Sequence, residues 1–141
     1  MAINQITVFL ENKAGALLNV TKLLSENKVD LRAINIAETA DYGLLRLITA
    51  NNAAAEKVLK NENLIFTETP VLAVAIDDKP GALSGVLEVL AKENIDLHYM
   101  YSIFGNKNAK AYMIMQLQDV DKATELLKQS GMTIAEACDL T

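Results

Sequence analysis

The chain has 141 residues, 51% of them in the hydrophobic set, with 13 Lys and Arg against 18 Asp and Glu for a formal charge of −5. That length holds one ordinary domain or two very small ones with enough apolar residues for a packed core, and the acidic balance gives no basic footprint for nucleic acid or anionic lipid. One cysteine excludes an internal disulfide, one histidine leaves little for zinc sites or Cys/His and Ser/His/Asp machinery, and no apolar run approaches a membrane span.

Taken in chain order, Ile6, Val8 and Leu10 alternate with Thr7 and Phe9, the period of a strand. A loop with Gly15 follows, then Leu17, Val20 and Leu24 on one helical face. Residues 30–39 read as a second strand whose slip in alternation, through Leu31, Ala33, Ile34 and Ile36, predicts a bulge. Asp41, Tyr42 and Gly43 form a turn into a third strand, residues 44–49. A short helix over residues 53–60 and a last strand over residues 64–69 complete the series.

The series then occurs a second time. Glu11-Asn12-Lys13-Ala14-Gly15-Ala16-Leu17 returns as Asp77-Asp78-Lys79-Pro80-Gly81-Ala82-Leu83, an offset of 66, and nine of the 26 positions from Ile6 to Leu31 are identical at that offset. Among them are Val8 and Val74, Val20 and Val86, Leu24 and Leu90, and Asp30-Leu31 and Asp96-Leu97. Further on the offset becomes 68, which places an insertion within residues 104–110. The second copy predicts a helix through Leu83, Val86, Leu87, Leu90 and Ala91, a strand over residues 111–117, a helix over residues 121–129 and a strand over residues 132–137. Each half therefore reads β-α-β-β-α-β, the split βαβ or ferredoxin-like arrangement.

The fold class expected is α+β, with two antiparallel-sheet domains at residues 1–69 and 70–141. A domain of about 60 residues is marginal alone, and only Glu68, Thr69 and Pro70 separate the copies. The two are therefore expected to pack together, and exposed edge strands invite a homodimer.

The glycine loops are where chemistry is expected. Glycine lets backbone approach a ligand, and the first amides of a helix, at the positive end of its dipole, suit a carboxylate. The same residues also suit a tight strand-to-helix turn with no ligand.

The pattern of an acidic residue, two variable positions and then Gly-Ala-Leu, with a strand opening at Asp30-Leu31, resembles the ACT domain in both halves. The first copy is similar to the small regulatory subunits of acetolactate synthase. The resemblance implies a non-catalytic regulatory module that binds a free amino acid at domain interfaces and acts on a partner enzyme of amino-acid metabolism. It carries a ligand site onto Asn12, Lys13, Ala14, Gly15, Ala16, Leu17, Asp30 and Leu31, and onto Asp78, Lys79, Pro80, Gly81, Ala82, Leu83, Asp96 and Leu97. Asp78 stands where the first copy has Asn12, and Asp30 and Asp96 where many relatives have Asn. An aspartate suits an ammonium group and repels a carboxylate.

His98 has Arg32 as its counterpart and reads either as a titrating contact or as a structural residue. Tyr99-Met100-Tyr101 reads as packing or as an interface, and Cys138, with no neighbouring base, as inert. No cofactor, metal, nucleic acid or membrane is expected, and a cytoplasmic location is. Two rivals share the scaffold: a small metabolite enzyme, for which no convergent acid and base is visible, and an RNA-binding module, which needs more aromatics on its sheet than Tyr112 supplies.

Overall fold

The computed structural model describes residues 3–39, 41–103 and 110–140, with backbone alone for Lys110, Ala137 and Cys138; the expected insertion and the Cys138 thiol lie outside what it describes. Two compact units divide at Thr69/Pro70: Asn4–Thr69, and Pro70–Leu140 together with Ile3.

The first unit holds β1 (Ile3–Glu11), α1 (Ala16–Glu26), β2 (Leu31–Glu38), β3 (Tyr42–Thr49), α2 (Asn52–Asn61) and the opening of β4 (Phe66–Asp77). Its strand order is β2-β3-β1-β4. Ile6 pairs with Leu47 and Glu11 with Tyr42, while Ile34 pairs with Leu47 and Glu38 with Gly43. The register slips between Leu31 and Ala33, so the predicted bulge is present and centres on Arg32. Ile6, Val8 and Leu10 from β1 and Leu45 and Leu47 from β3 meet Val20 and Leu24 of α1 and Ala55, Val58 and Leu59 of α2 in one core.

The second unit repeats this with the rest of β4, α3 (Ala82–Lys92), β5 (Leu97–Ile103), β6 (Lys110–Leu117), α4 (Val120–Gln129) and β7 (Thr133–Ile134). β6 pairs with both β4 and β5, and β7 lies on the other side of β4. A register slip between Leu97 and Tyr99 puts His98 in a bulge equivalent to that of Arg32. Leu72, Val74, Val86, Leu90, Met113, Met115 and Leu127 form its core.

Two expectations change. Glu68, Thr69 and Pro70 are not a separator, because they lie within β4. The last strand, expected over residues 132–137, is only Thr133–Ile134; the chain then enters a 3-10 turn, Ala137–Leu140, with the Glu136 amide donating to Asp139 Oδ2 at 2.8 Å. That local hydrogen bond competes with the ladder and ends it.

The four helices do not begin alike. Asn51 caps α2 by accepting from the Ala54 amide at 3.1 Å, and Asp119 caps α4 by accepting from Lys122 at 3.0 Å. Helices α1 and α3 start at Gly15 and Gly81 with no side-chain cap. All four then close in the same way, on a left-handed residue: Lys28, Asn63, Asn94 and Gly131.

Behind α2, the Glu56 carboxyl is held above its ordinary range, first by its hydrogen bond with Glu68, then by burial and by the Glu68 charge; Lys60 opposes this. Asn52 Nδ2 donates to Asn4 O at 2.9 Å and to Glu68 Oε1 at 3.3 Å, tying the pair to β1.

Two outcomes follow. Leu24 is fully buried, so Leu24→Ala should lose about 2–5 kcal/mol in urea unfolding. A proton bound more tightly in the folded state stabilises at low pH, and that contribution fades as pH rises through the raised Glu56 value. Glu68→Gln should therefore gain stability relative to the parent chain as the pH of the urea titration is raised from 4 to 7.

Candidate functional site

The two uncapped helix starts are built identically. Gly15 has φ 87° and Gly81 φ 88°, left-handed backbone that a residue with a Cβ adopts only with strain. Ahead of each glycine the chain folds tightly. Lys13 N donates to Glu11 O at 2.9 Å and Ala16 N to Lys13 O at 3.3 Å, and Lys79 to Asp77 and Ala82 to Lys79 repeat both distances. The helix then opens with Asn19 N on Gly15 O at 2.9 Å and Gly85 N on Gly81 O at 3.1 Å. Between these bonds stand the amides of Leu17 and Leu18, and of Leu83 and Ser84, in first turns that no side chain caps.

Charge around the loops is arranged in pairs. Lys13 Nζ lies 2.9 Å from Glu11, lowering the pKa of the glutamate and raising that of the lysine, and Lys79 lies 3.7 Å from Asp77. Each lysine thus offsets the acidic residue that ends its strand, so the strand end does not by itself turn an anion away.

A hollow lies beside each loop. In the first unit it measures about 400 Å³ and is lined by Asn12, Lys13, Ala14, Ala16 and Leu17 of the expected set, with Leu10, Glu11, Ile36, Glu38 and Gly43. In the second it is smaller, about 220 Å³, with Asp78, Lys79, Gly81 and Leu83 joined by Ser84, Ser102, Ala111 and Met113 among others. Pro80 and Ala82 complete the second loop without lining its hollow.

Asn12 lines the first hollow and is also tied back to the sheet. Its Nδ2 donates to Thr39 O at 3.1 Å, strapping the loop to the β2–β3 turn. Gly43 lies beside it, and a Cβ there would stand 3.4 Å from Asn12 Oδ1, an ordinary van der Waals contact. In the second unit Asp78 and Ala111 occupy the matching places, and a carboxylate cannot donate the equivalent bond.

The other expected residues stand elsewhere. Leu31 pairs with Thr49 and Leu97 with Leu117, whereas the loops leave β1 and β4 opposite Tyr42 and Lys110. Seven residues of strand separate the two ends, roughly 24 Å. Within one unit Asp30, Leu31, Asp96 and Leu97 therefore do not reach the loop. Asp30 instead pairs with Arg32 at 3.1 Å, and Leu31 and Leu97 pack against the cores.

Ile36, Glu38, Gly43, Ser102, Ala111 and Met113 line the hollows without being among the residues expected there. The sequence signal for them was the turn at Asp41, Tyr42 and Gly43, which folds the end of β2 back beside the loop. Of the remaining candidates, His98 Nδ1 bonds Gln116 Oε1, Met100 packs against the second core and Tyr101 is buried. Among the described residues no group of three or more His, Cys, Asp or Glu could hold a metal ion, and no helix is long and apolar enough to cross a membrane.

A search of curated proteins finds no match. Among solved structures, a Bacteroides thetaiotaomicron protein is similar at 36% identity with a TM-score of 0.92, covering 99% of this chain and 96% of that one. Two regulatory subunits of aspartate kinase share the fold. The ligand-free form from Thermus thermophilus has 13% identity, a TM-score of 0.62 and coverage of 92% and 93%. That from Thermus flavus has 14% identity, a TM-score of 0.59 and coverage of 92% of each chain. The family model described as an ACT domain pair matches residues 1–141. With both loops, both sheets and the full length accounted for, the chain belongs to the ACT domain family.

Proposed function

We propose that this protein is a non-catalytic amino-acid sensor that takes a free amino acid at its glycine loops and controls a partner enzyme of amino-acid metabolism as a homodimer. The observation that carries the reading is the contrast in helix starts: α2 and α4 are capped by their own side chains, and α1 and α3 are not. Those first turns direct amide donors and the positive end of a helix dipole at a hollow of small-molecule size. Lys13 and Lys79 are each paired with a carboxylate at the rim, and Leu10, Leu17 and Ile36 give the first hollow an apolar wall for a side chain. The regulatory reading is supported by the family, and the enzyme class by likeness in fold to subunits of aspartate kinase.

An amino acid of about nine heavy atoms binding at several tenths of a kcal/mol per atom reaches millimolar to micromolar affinity. At about 100 times Kd it stabilises the folded chain by roughly 2.7 kcal/mol. A thermal-melt screen against the twenty amino acids at millimolar concentration should raise the midpoint by several degrees for one or a few of them. A flat response to all twenty overturns the reading.

The loops can be told apart by substitution. Gly15→Val and Gly81→Val each put a β-branched side chain at left-handed φ, which costs about 1–3 kcal/mol and deforms one loop. The variant whose melt no longer responds to the active amino acid identifies the loop that binds it, as isothermal titration on both variants should confirm.

A further inference from the structure

A larger cleft, about 550 Å³, lies around the free side of β1 in the first unit. It shares Leu10, Glu11, Lys13 and Ala16 with the hollow beside the first glycine loop, and these four form the wall between the two spaces. The cleft exists because the sheet ends unevenly. β1 runs on to Glu11, and the Phe9 amide donates to Ile65 O at 2.9 Å. Continuing an antiparallel ladder by two residues would set Glu11 opposite Asn63. Asn63 is left-handed at φ 55°, and its amide turns to Lys60 O at 3.0 Å to close α2 instead. Space is thereby left beside Leu10 and Glu11.

Its walls are apolar and its mouth is acidic. Val20, Leu23 and Leu64 stand on the core side. Phe9 and Tyr42 stand on the opposite face of the sheet, with ring centroids 5.8 Å apart and planes at 53°. Tyr42 and Ile65 are 40% and 71% exposed. Glu11, Asp41 and Glu62 bring three carboxylates against the one ammonium of Lys13, which Glu11 already holds at 2.9 Å. Asp41 and Glu62 make no ion pair among the described residues.

The second unit builds the matching backbone without these groups. Ala75 pairs with Thr133 where Phe9 meets Ile65, and Lys110 lies opposite Asp77 as Tyr42 lies opposite Glu11. Ser130 and left-handed Gly131 take the places of Glu62 and Asn63. Both rings and one carboxylate are gone, and a cation replaces a ring. Neither ring is therefore needed to hold such a sheet, and the aromatic, acidic character belongs to the first cleft alone of the two.

We propose that this cleft is a second ligand site, for a small organic cation: an amine on an apolar, planar body. Its volume is that of a small-molecule site. The rings and aliphatic wall take the body, the faces of Phe9 and Tyr42 attract the charge, and Asp41 and Glu62 balance it. A free amino acid is disfavoured, because its carboxylate would meet those of Asp41 and Glu62 while Lys13 is engaged. The proposal is thus separate from the sensor reading of the glycine loops and stands or falls without it.

Tryptamine, charged at neutral pH, is the probe, with tryptophol as its neutral counterpart and indolepropionate as its anionic one. Calorimetric titration should give saturable millimolar or tighter binding of tryptamine, with tryptophol at least about fivefold weaker and indolepropionate about tenfold or more. Amide shifts in nuclear magnetic resonance should centre on Phe9, Glu11, Tyr42 and residues 62–65.

Two variants separate ring from charge. Tyr42→Lys, the residue that the second unit carries at that place, should weaken tryptamine about tenfold or more. Asp41→Asn combined with Glu62→Gln should bring tryptamine to within about twofold of tryptophol and leave tryptophol unchanged, which a merely structural role for the carboxylates would not do. Absence of saturable binding up to about 10 mM overturns the proposal. So does equal affinity for tryptamine and tryptophol, and so do shifts centred on the glycine loops. Circular dichroism verifies each fold, and if Tyr42→Lys unfolds the chain, the carboxylate variant decides alone.

Discussion

The molecule depends on a backbone angle that recurs at Gly15 and Gly81. A left-handed residue at the end of the first strand reverses the chain within a single turn and starts a helix whose cap position has no side chain to offer. The same protein caps its other two helices with Asn51 and Asp119, so side-chain capping is within its means. Dispensing with it twice, at matched places, leaves amides facing outward where a capping oxygen would otherwise sit. The Lys13–Glu11 and Lys79–Asp77 pairs then keep the strand end from opposing an anion there. Hollow, charge and donors are all consequences of that one turn.

Most of the fold was legible because it depends on period and repetition. Period-2 strands, a helix face through Leu83, Val86 and Leu90, and an offset of 66 specify element order without any knowledge of neighbours. The bulge was legible too, as a slip in alternation around Ala33. What escaped depends on register. Alternation says which face a residue takes and not which residue lies beside it. Ile36 and Glu38 join the first loop only because Glu38 pairs with Gly43, and Asp30 is carried off because the same strand runs the other way. The short β7 escaped for a different reason: a local bond between Glu136 and Asp139 outcompetes a ladder that residues 132–137 would otherwise suit.

Duplication has preserved the loop and let its surroundings diverge. The amide strap from Asn12 to Thr39 needs a donor at position 12, and it passes beside Gly43. The second unit has Asp78 and Ala111 instead, and both changes act on the mouth of the hollow. An added Cβ fills space, and a carboxylate replaces a neutral amide. The hollow shrinks from about 400 to about 220 Å³ accordingly. Two hollows that differ in volume and in local charge are not equivalent surroundings, even though their backbones coincide. Backbone geometry therefore sets what both loops have in common, an uncapped first helical turn, while the residues around them set the size and charge of the space beside it.

Regulation asks for more than affinity. A ligand that sits wholly within one rigid hollow binds every state of the protein equally and shifts nothing. It acts as a signal only if its contacts come from parts whose arrangement it can bias. In the first unit the hollow is lined at the Glu38 end of β2, and Asp30 and Leu31 stand about 24 Å away at the other end of the same strand. Where a ligand bridges two such parts, its binding and their arrangement share a free energy: what favours one favours the other by the same factor.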